Sequence, residues 1–189
     1  MEAVITSTAV VALAEIGDKT MLLAIVLAAR FRKPVPIILG ILVATLANHG
    51  IAALVGQSVA NLLEGEWFRY AVGLSFIAMA AWTLVPDKLD DEEQKTPRFG
   101  AFLTTTIAFF LVEIGDKTQV ATIALAAQFQ DVVLVTIGTT LGMMIANVPA
   151  VFLGHRLVER LSLGLMRTIA ALLFLAIGIW VIVETAGLG

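Results

Sequence analysis

The hexapeptide Glu15-Ile16-Gly17-Asp18-Lys19-Thr20 occurs a second time as Glu113-Ile114-Gly115-Asp116-Lys117-Thr118, and both copies lie inside long apolar stretches. Each copy puts two carboxylates and an ammonium where a bilayer offers only hydrocarbon. Ionisable groups at that depth are costly and, by default, mark a substrate or ion pathway. On a continuous helix Glu15 and Asp18 would share a face, with Cβ atoms about 5–6 Å apart, and Glu113 and Asp116 would do the same. An axis relating the two segments would bring all four acids into one pocket. Carboxylates crowded together in low dielectric repel one another and resist ionisation, and a bound cation or protons would relieve that. Four carboxylates and the two lysines sum to a formal −2, which one divalent cation or two protons would neutralise. A site of this kind can alternate between a metal-loaded and a protonated form, the logic of an exchanger. The competing reading pairs Glu15 with Lys19 and Glu113 with Lys117, or lets the lysines snorkel away. It leaves the second acid of each copy unexplained.

Ligand type narrows the cation. All-oxygen sites suit Mg²⁺, Ca²⁺ and Mn²⁺, whereas Zn²⁺ and copper prefer sulfur and imidazole. The chain has no cysteine, and its two histidines are His49 and His155. His155 lies by a basic loop and reads as surface. His49 is near mid-span, but Val148 takes its place in the second copy, so packing is the leading reading for it. Met21, Met143 and Met144 read as core filling. Asn48-His49-Gly50 and Asn147-Val148-Pro149 form a second pair of matched segments, each with a helix-weakening residue two positions after the asparagine. Helices loosened at matched places point to a transporter's binding site. Asn48 and Asn147 would supply neutral oxygens or hydrogen bonds between helices. Lys19, Lys117, Thr20, Thr118 and Gln119 complete the candidate supporting or pathway residues. Gly17 and Gly115 would allow close helix approach or local unwinding. Thr6-Ser7-Thr8 and Thr104-Thr105-Thr106 precede each glutamate by about two turns, and back-bonding to their own helices is expected. Gly40 with Ala44, and Gly138 with Gly142, are small-residue pairs suited to tight helix packing.

The elements that must position these groups are membrane spans. Of 189 residues 59% are hydrophobic and only 14% charged, with a mean hydropathy of +0.97, which excludes an ordinary soluble domain. Turn and charge signals divide the chain into six apolar segments, roughly 4–29, 35–62, 67–85, 101–127, 132–157 and 165–185. Glu15 would lie about 18 Å into its span at 1.5 Å per residue, near the middle of a hydrocarbon core about 30 Å thick. The N-terminus has no basic region of the signal-peptide kind, so the first segment is expected to be a retained helix. The halves are repeats: a shift of 98 residues places Glu15 on Glu113, Phe31 on Phe129, Gly40 on Gly138, Arg69 on Arg167, Phe76 on Phe174 and Trp82 on Trp180. A slip of one residue within the second span aligns Asn48 with Asn147. Three spans per repeat is an odd number, so the second repeat must enter from the opposite side, which predicts an all-α protein of six transmembrane helices in two inverted three-helix repeats. The expected organisation is one membrane domain, 1–189: repeat one over 1–86, an acidic linker over 87–99, and repeat two over 100–189. Arg30, Arg32, Lys33, Lys88, Lys95, Arg98, Arg156, Arg160 and Arg167 lie by the loops after spans one, three and five; Arg69 alone lies by another loop. By the positive-inside rule both termini face outward and the acidic linker is cytoplasmic.

The duplicated Glu-x-Gly-Asp-Lys-Thr in a six-span chain resembles the signature of the Gdt1-like cation transporter family, which includes Golgi manganese/calcium transporters and small bacterial manganese exporters. The resemblance covers nearly the whole chain, and both motifs match intact. It implies that Glu15, Asp18, Glu113 and Asp116 bind the metal. It implies a secondary transporter of the bacterial inner membrane that exports Mn²⁺ from the cytoplasm in exchange for protons. A Ca²⁺/H⁺ exchanger and a passive divalent-cation channel are the alternatives, and Na⁺ could replace H⁺ as coupling ion. The chain supplies no nucleophile constellation for an enzyme. The expected partners are the lipid bilayer and the transported cation, with no nucleic acid and no resident cofactor. Oligomeric state is not fixed by the sequence.

Overall fold

The structure is a computed structural model that describes residues 1–63, 65–86, 99–154 and 162–187. Among the described residues all regular structure is helical: α1 (Glu2–Glu15), α2 (Lys19–Phe31), α3 (Pro34–Leu62), α4 (Glu66–Thr83), α5 (Ala101–Glu113), α6 (Lys117–Phe129), α7 (Val132–Leu153) and α8 (Leu163–Thr185). Helices α3, α7 and α8 are each long and apolar enough to cross a bilayer, and the chain is a multi-pass membrane protein. Apart from Phe99, the expected acidic linker lies outside the described residues, as do His155, Arg156 and Arg160.

The expected first and fourth spans are each two helices, broken within the hexapeptides. Helix α1 stops at Glu15 and α2 starts after Asp18, with Ile16 extended at ψ 109° and Gly17 at φ +88°. Helix α5 stops at Glu113 and α6 starts after Asp116, with Ile114 at ψ 119° and Gly115 at φ +76°. Glycine carries the chain through a region that a Cβ disfavours. An aspartate with extended backbone then opens the next helix, the position at which short polar side chains are favoured. This corrects the shared-face geometry read from the sequence: the two acids of a copy lie on opposite sides of a break, so the three-residue spacing of a continuous helix does not apply.

The loosening expected at Asn48-Gly50 and Asn147-Pro149 is not found. Helices α3 and α7 run through both segments without interruption. Gly50 sits deep inside a 29-residue helix, where its only cost is propensity. Pro149 falls within the last turns of α7, where it withholds one hydrogen bond near an end that already has free carbonyls.

Helix α1 packs along α7, and α3 along α5. A Cβ on Gly40 would stand 2.8 Å from the Phe102 carbonyl oxygen; on Gly138 it would stand 2.7 Å from that of Val4, and on Gly142 2.7 Å from that of Thr8. These bare backbones are what allow the close approach, as the small-residue pairs predicted. Thr8 donates across the α1–α7 contact to the Gly138 carbonyl at 3.0 Å. Thr105 and Thr106 instead bond back to Ala101 and Phe102 of their own helix, as expected. The contacts advance in the same direction along both partners, so α1 runs parallel to α7 and α3 parallel to α5. Helix α2 packs on α7 and α6 on α3, while α4 and α8 pair through stacked Phe76 and Phe174 rings and a close crossing at Gly73 and Gly178. Helices α2 and α6 end alike, on left-handed Arg32 (φ 52°) and Gln130 (φ 50°).

Candidate metal centre

The two breaks meet in the interior, and each leaves a glutamate at the last position of a helix. Glu15, Glu113 and Asp116 are buried, and each offers a carboxylate oxygen within 4.8 Å of the others. One acid comes from the first motif and two from the second. The fourth predicted acid, Asp18, is not part of this trio. It lines a small polar cavity with Thr83, Lys117 and Arg167, closed by Ala14, Ile16 and Gly17.

Side chains from both halves fill the shell around the trio. Glu15 accepts hydrogen bonds from Thr20 of its own motif and from Thr118 of the other, one hydroxyl on each oxygen. Neither oxygen of Glu113 has a hydrogen-bond partner among the described residues. Lys19 reaches across to the second motif, its Nζ lying 3.9 Å from Asp116 Oδ1. Lys117 donates to the Val85 carbonyl at the end of α4, at 2.8 Å. Gln119 braces the second break: its Oε1 accepts from the Gly115 amide at 2.7 Å, and its Nε2 donates to Asn48 Oδ1. Asn48 in turn donates to the Phe110 carbonyl at 3.3 Å, tying α3 to the last turn of α5. Asn147 is buried and donates to the Met143 carbonyl at 3.1 Å, while its Oδ1 has no hydrogen-bond partner among the described residues. The eight predicted residues of the two hexapeptides lie in or beside the breaks, and Gln119 and Asn48 brace the second one, whereas Asn147 hydrogen-bonds within its own helix.

The residue that the sequence reading set aside is His49. It is fully buried on α3, with Nε2 3.7 Å from Glu113 Oε2 and, among the described residues, no hydrogen-bond partner on either ring nitrogen. The signal was present: it follows Asn48 near mid-span. The absence of a repeat counterpart argued against it, and that argument assumed a symmetry the site does not have.

Three buried carboxylates gathered from two broken helices, inside a multi-pass apolar protein, leave no apolar use for the cluster. An unpaired charge in such surroundings is expensive, and hard oxygen ligands of this kind hold divalent cations. The class defined is a membrane protein that handles cations.

The chain belongs to the GDT1 family of divalent cation/proton antiporters, whose model matches it twice, over residues 3–91 and 101–188. A Vibrio cholerae protein named "Putative manganese exporter" is 51% identical over 176 residues, covering 93% of this chain and 88% of its own. The Arabidopsis thaliana GDT1-like protein 3 is 29% identical over 94% of this chain and 69% of its own. A GDT1-like protein of Synechocystis is 29% identical over 87% of this chain and 88% of its own. No solved structure matches this chain. The family is one of transporters, so a divalent cation is the cargo and the bilayer the setting; cation transport, not enzymic turnover, is the activity.

Proposed function

We propose that the protein is a secondary transporter of a bacterial inner membrane that exports Mn²⁺ from the cytoplasm in exchange for protons. The observation that carries this reading is the trio of buried carboxylates drawn from both motifs. A site built only from one half could bind an ion; one shared between halves can also be opened to either side by moving one half against the other. The Vibrio relative's name supports the choice of manganese. The metal is cargo, and no resident cofactor is required.

The six-span inverted repeat is part of the proposal. If successive spans alternate in direction, spans one and two are antiparallel. Since α3 runs parallel to α5, the first break-containing span would then be antiparallel to its repeat equivalent. That supports two repeats, 1–86 and 100–189, of opposite orientation. Both termini would lie outside and the acidic 87–99 segment in the cytoplasm, on the side carrying the basic loops.

In the transport cycle the four motif acids engage by turns. Here Asp116 is with the two glutamates, and Asp18 faces Lys117 and Arg167 across a separate cavity. Rocking of the halves would exchange the two aspartates, with Lys117 then taking the part Lys19 plays now. Glu15 and Glu113 serve in both states and are the proton carriers, since carboxyls relieved of a divalent ion in a dry site take up protons.

Reconstitution tests this. Proteoliposomes given Mn²⁺, Ca²⁺ or Mg²⁺ under separate proton and sodium gradients should show uphill Mn²⁺ movement driven by the proton gradient. Movement only down the Mn²⁺ gradient would make the protein a channel. Because all-oxygen carboxylate sites also suit Ca²⁺, preferential Ca²⁺ movement would instead establish Ca²⁺/H⁺ exchange.

A further inference from the structure

We propose that His49 is a nitrogen ligand of the transported ion, and that it biases the carboxylate site toward a transition-metal cation such as Mn²⁺ over Ca²⁺ and Mg²⁺. The proposal deepens the transport reading above and rests on it.

A buried histidine that only packs normally satisfies at least one ring nitrogen with a hydrogen bond. Among the described residues His49 satisfies neither, although it is fully buried. The group it faces is Glu113, a buried carboxylate that also has no hydrogen-bond partner among the described residues. Their nearest atoms are 3.7 Å apart, beyond hydrogen-bonding range. Two ligands held about 2.1 Å from one ion stand roughly 3–3.5 Å apart at the usual angles. The pair is therefore spaced for an ion between them more nearly than for a direct bond. An imidazole and a carboxylate that both lack a hydrogen-bond partner among the described residues, side by side at the rim of a three-acid cluster, form a mixed nitrogen–oxygen edge to that site.

The placement is built in. The close approach of Gly40 to the Phe102 backbone and the Asn48 hydrogen bond to the Phe110 carbonyl fix α3 against α5 in one register. The residue after Asn48 is then delivered to the glutamate three residues after Phe110. Only one half carries this group, because Val148 follows Asn147. Both motifs thus supply the charge, and α3 alone supplies a nitrogen. Imidazole is a good ligand for first-row transition metals, whereas Ca²⁺ and Mg²⁺ take oxygen almost exclusively. A site with carboxylates only would have little basis for telling Mn²⁺ from the far more abundant alkaline-earth ions.

Pulsed electron paramagnetic resonance on the purified protein loaded with Mn²⁺ reads the bond directly. The expected result is a nitrogen hyperfine coupling to the bound Mn²⁺ that changes isotope pattern when the protein is grown with ¹⁵N-imidazole histidine, and that persists in His155→Gln. His49→Gln should lose the coupling and lower the Mn²⁺-over-Ca²⁺ preference in competition by at least roughly tenfold, the loss already typical of removing a group one shell further out. Bound Mn²⁺ without any histidine-nitrogen coupling overturns the proposal and leaves the transport reading standing. Wild-type protein that binds no Mn²⁺ overturns both. The wild-type and His155→Gln spectra together decide even if His49→Gln does not fold.

Discussion

The two hexapeptides are identical in sequence and unlike in surroundings. Glu15 receives two hydroxyl donors, one from each motif, while Glu113 has no donor among the described residues and stands 3.7 Å from an imidazole. Asp116 joins the glutamates beside Lys19, whereas Asp18 lines a cavity with Lys117 and Arg167. Since the local sequence is the same, the difference comes from what each copy packs against. Helix α8 begins over the first break, with Leu163 against Gly17, and no described residue comes as near to Gly115. The first break is packed under α8, whereas the glutamate of the second has no hydrogen-bond donor among the described residues. Thr20 and Thr118 serving a single carboxylate is an asymmetric arrangement, of the kind the proposed exchange of halves requires. On that proposal the identical motifs would keep the mirror arrangement close in energy.

The largest effect expected on this comparison is from neutralising either glutamate. Glu15→Gln and Glu113→Gln should both abolish proton-driven Mn²⁺ movement while the protein still purifies as a folded species. Normal transport by either variant would remove that residue from the pathway. Stability should separate them. In metal-free protein, where Glu15 carries a proton, Glu15→Gln replaces one of two oxygens that accept hydroxyls, so it should cost about 0.5–1.5 kcal/mol, the net range for a typical hydrogen bond. Glu113→Gln removes a buried acid with no donor to lose and should be neutral or stabilising. Thermal unfolding in chelator reads both, and equal shifts would show that the asymmetry is not a property of the protein in solution.

A smaller effect is expected at the glycines that break the helices. Gly115→Ala places a Cβ in open space at φ +76° and should cost about 1–2 kcal/mol, the usual penalty of left-handed backbone. Gly17→Ala carries the same backbone penalty at φ +88° and also sets a Cβ 2.8 Å from Leu163 Cδ2. It should therefore be the more destabilising of the two, because Leu163 at the start of α8 must give way. Paired melting curves check this. A larger loss at Gly115 would mean that α8 does not rest on the first break.

The repeats, the acids and the small-residue contacts were legible in the sequence because they depend on composition and on matched spacing. Gly40 and Gly138 could be placed at close crossings because each recurs at the same point of its half. The helix breaks were only half legible. Glycine in the motif suggested unwinding, but Gly50 and Pro149 suggested it as well, and nothing local says that an aspartate after glycine ends a helix while a proline in the last turns does not. Asp18's separation from the trio was illegible in principle, since one hexapeptide written twice cannot encode which copy is in which state. His49 has no counterpart in the second copy, so matched spacing does not single it out, and the α3–α5 register that brings it to Glu113 is a tertiary fact.

The smallest effect should come from the arginines that the repeat relates, Arg69 and Arg167. Arg69 pairs with Glu184 at 3.3 Å, and both side chains are about half exposed, at 48% and 46%. An ion pair in that position contributes only about 0.2–1 kcal/mol. Arg69→Ala should therefore lower stability by no more than that and leave Mn²⁺ transport within about twofold of wild type. Arg167 occupies the equivalent place in the other half but lines the cavity that holds Asp18 and Lys117. If the aspartates exchange as proposed, Asp18 must leave the cavity that Arg167 also lines, so Arg167→Ala should change the transport rate by more than Arg69→Ala at similar cost to folding. Rate measurements on the two alanine variants, normalised to protein that survives reconstitution, compare them directly. If both rates move alike, the cavity at the first break plays no part in the exchange, and the difference between the two motifs is packing alone.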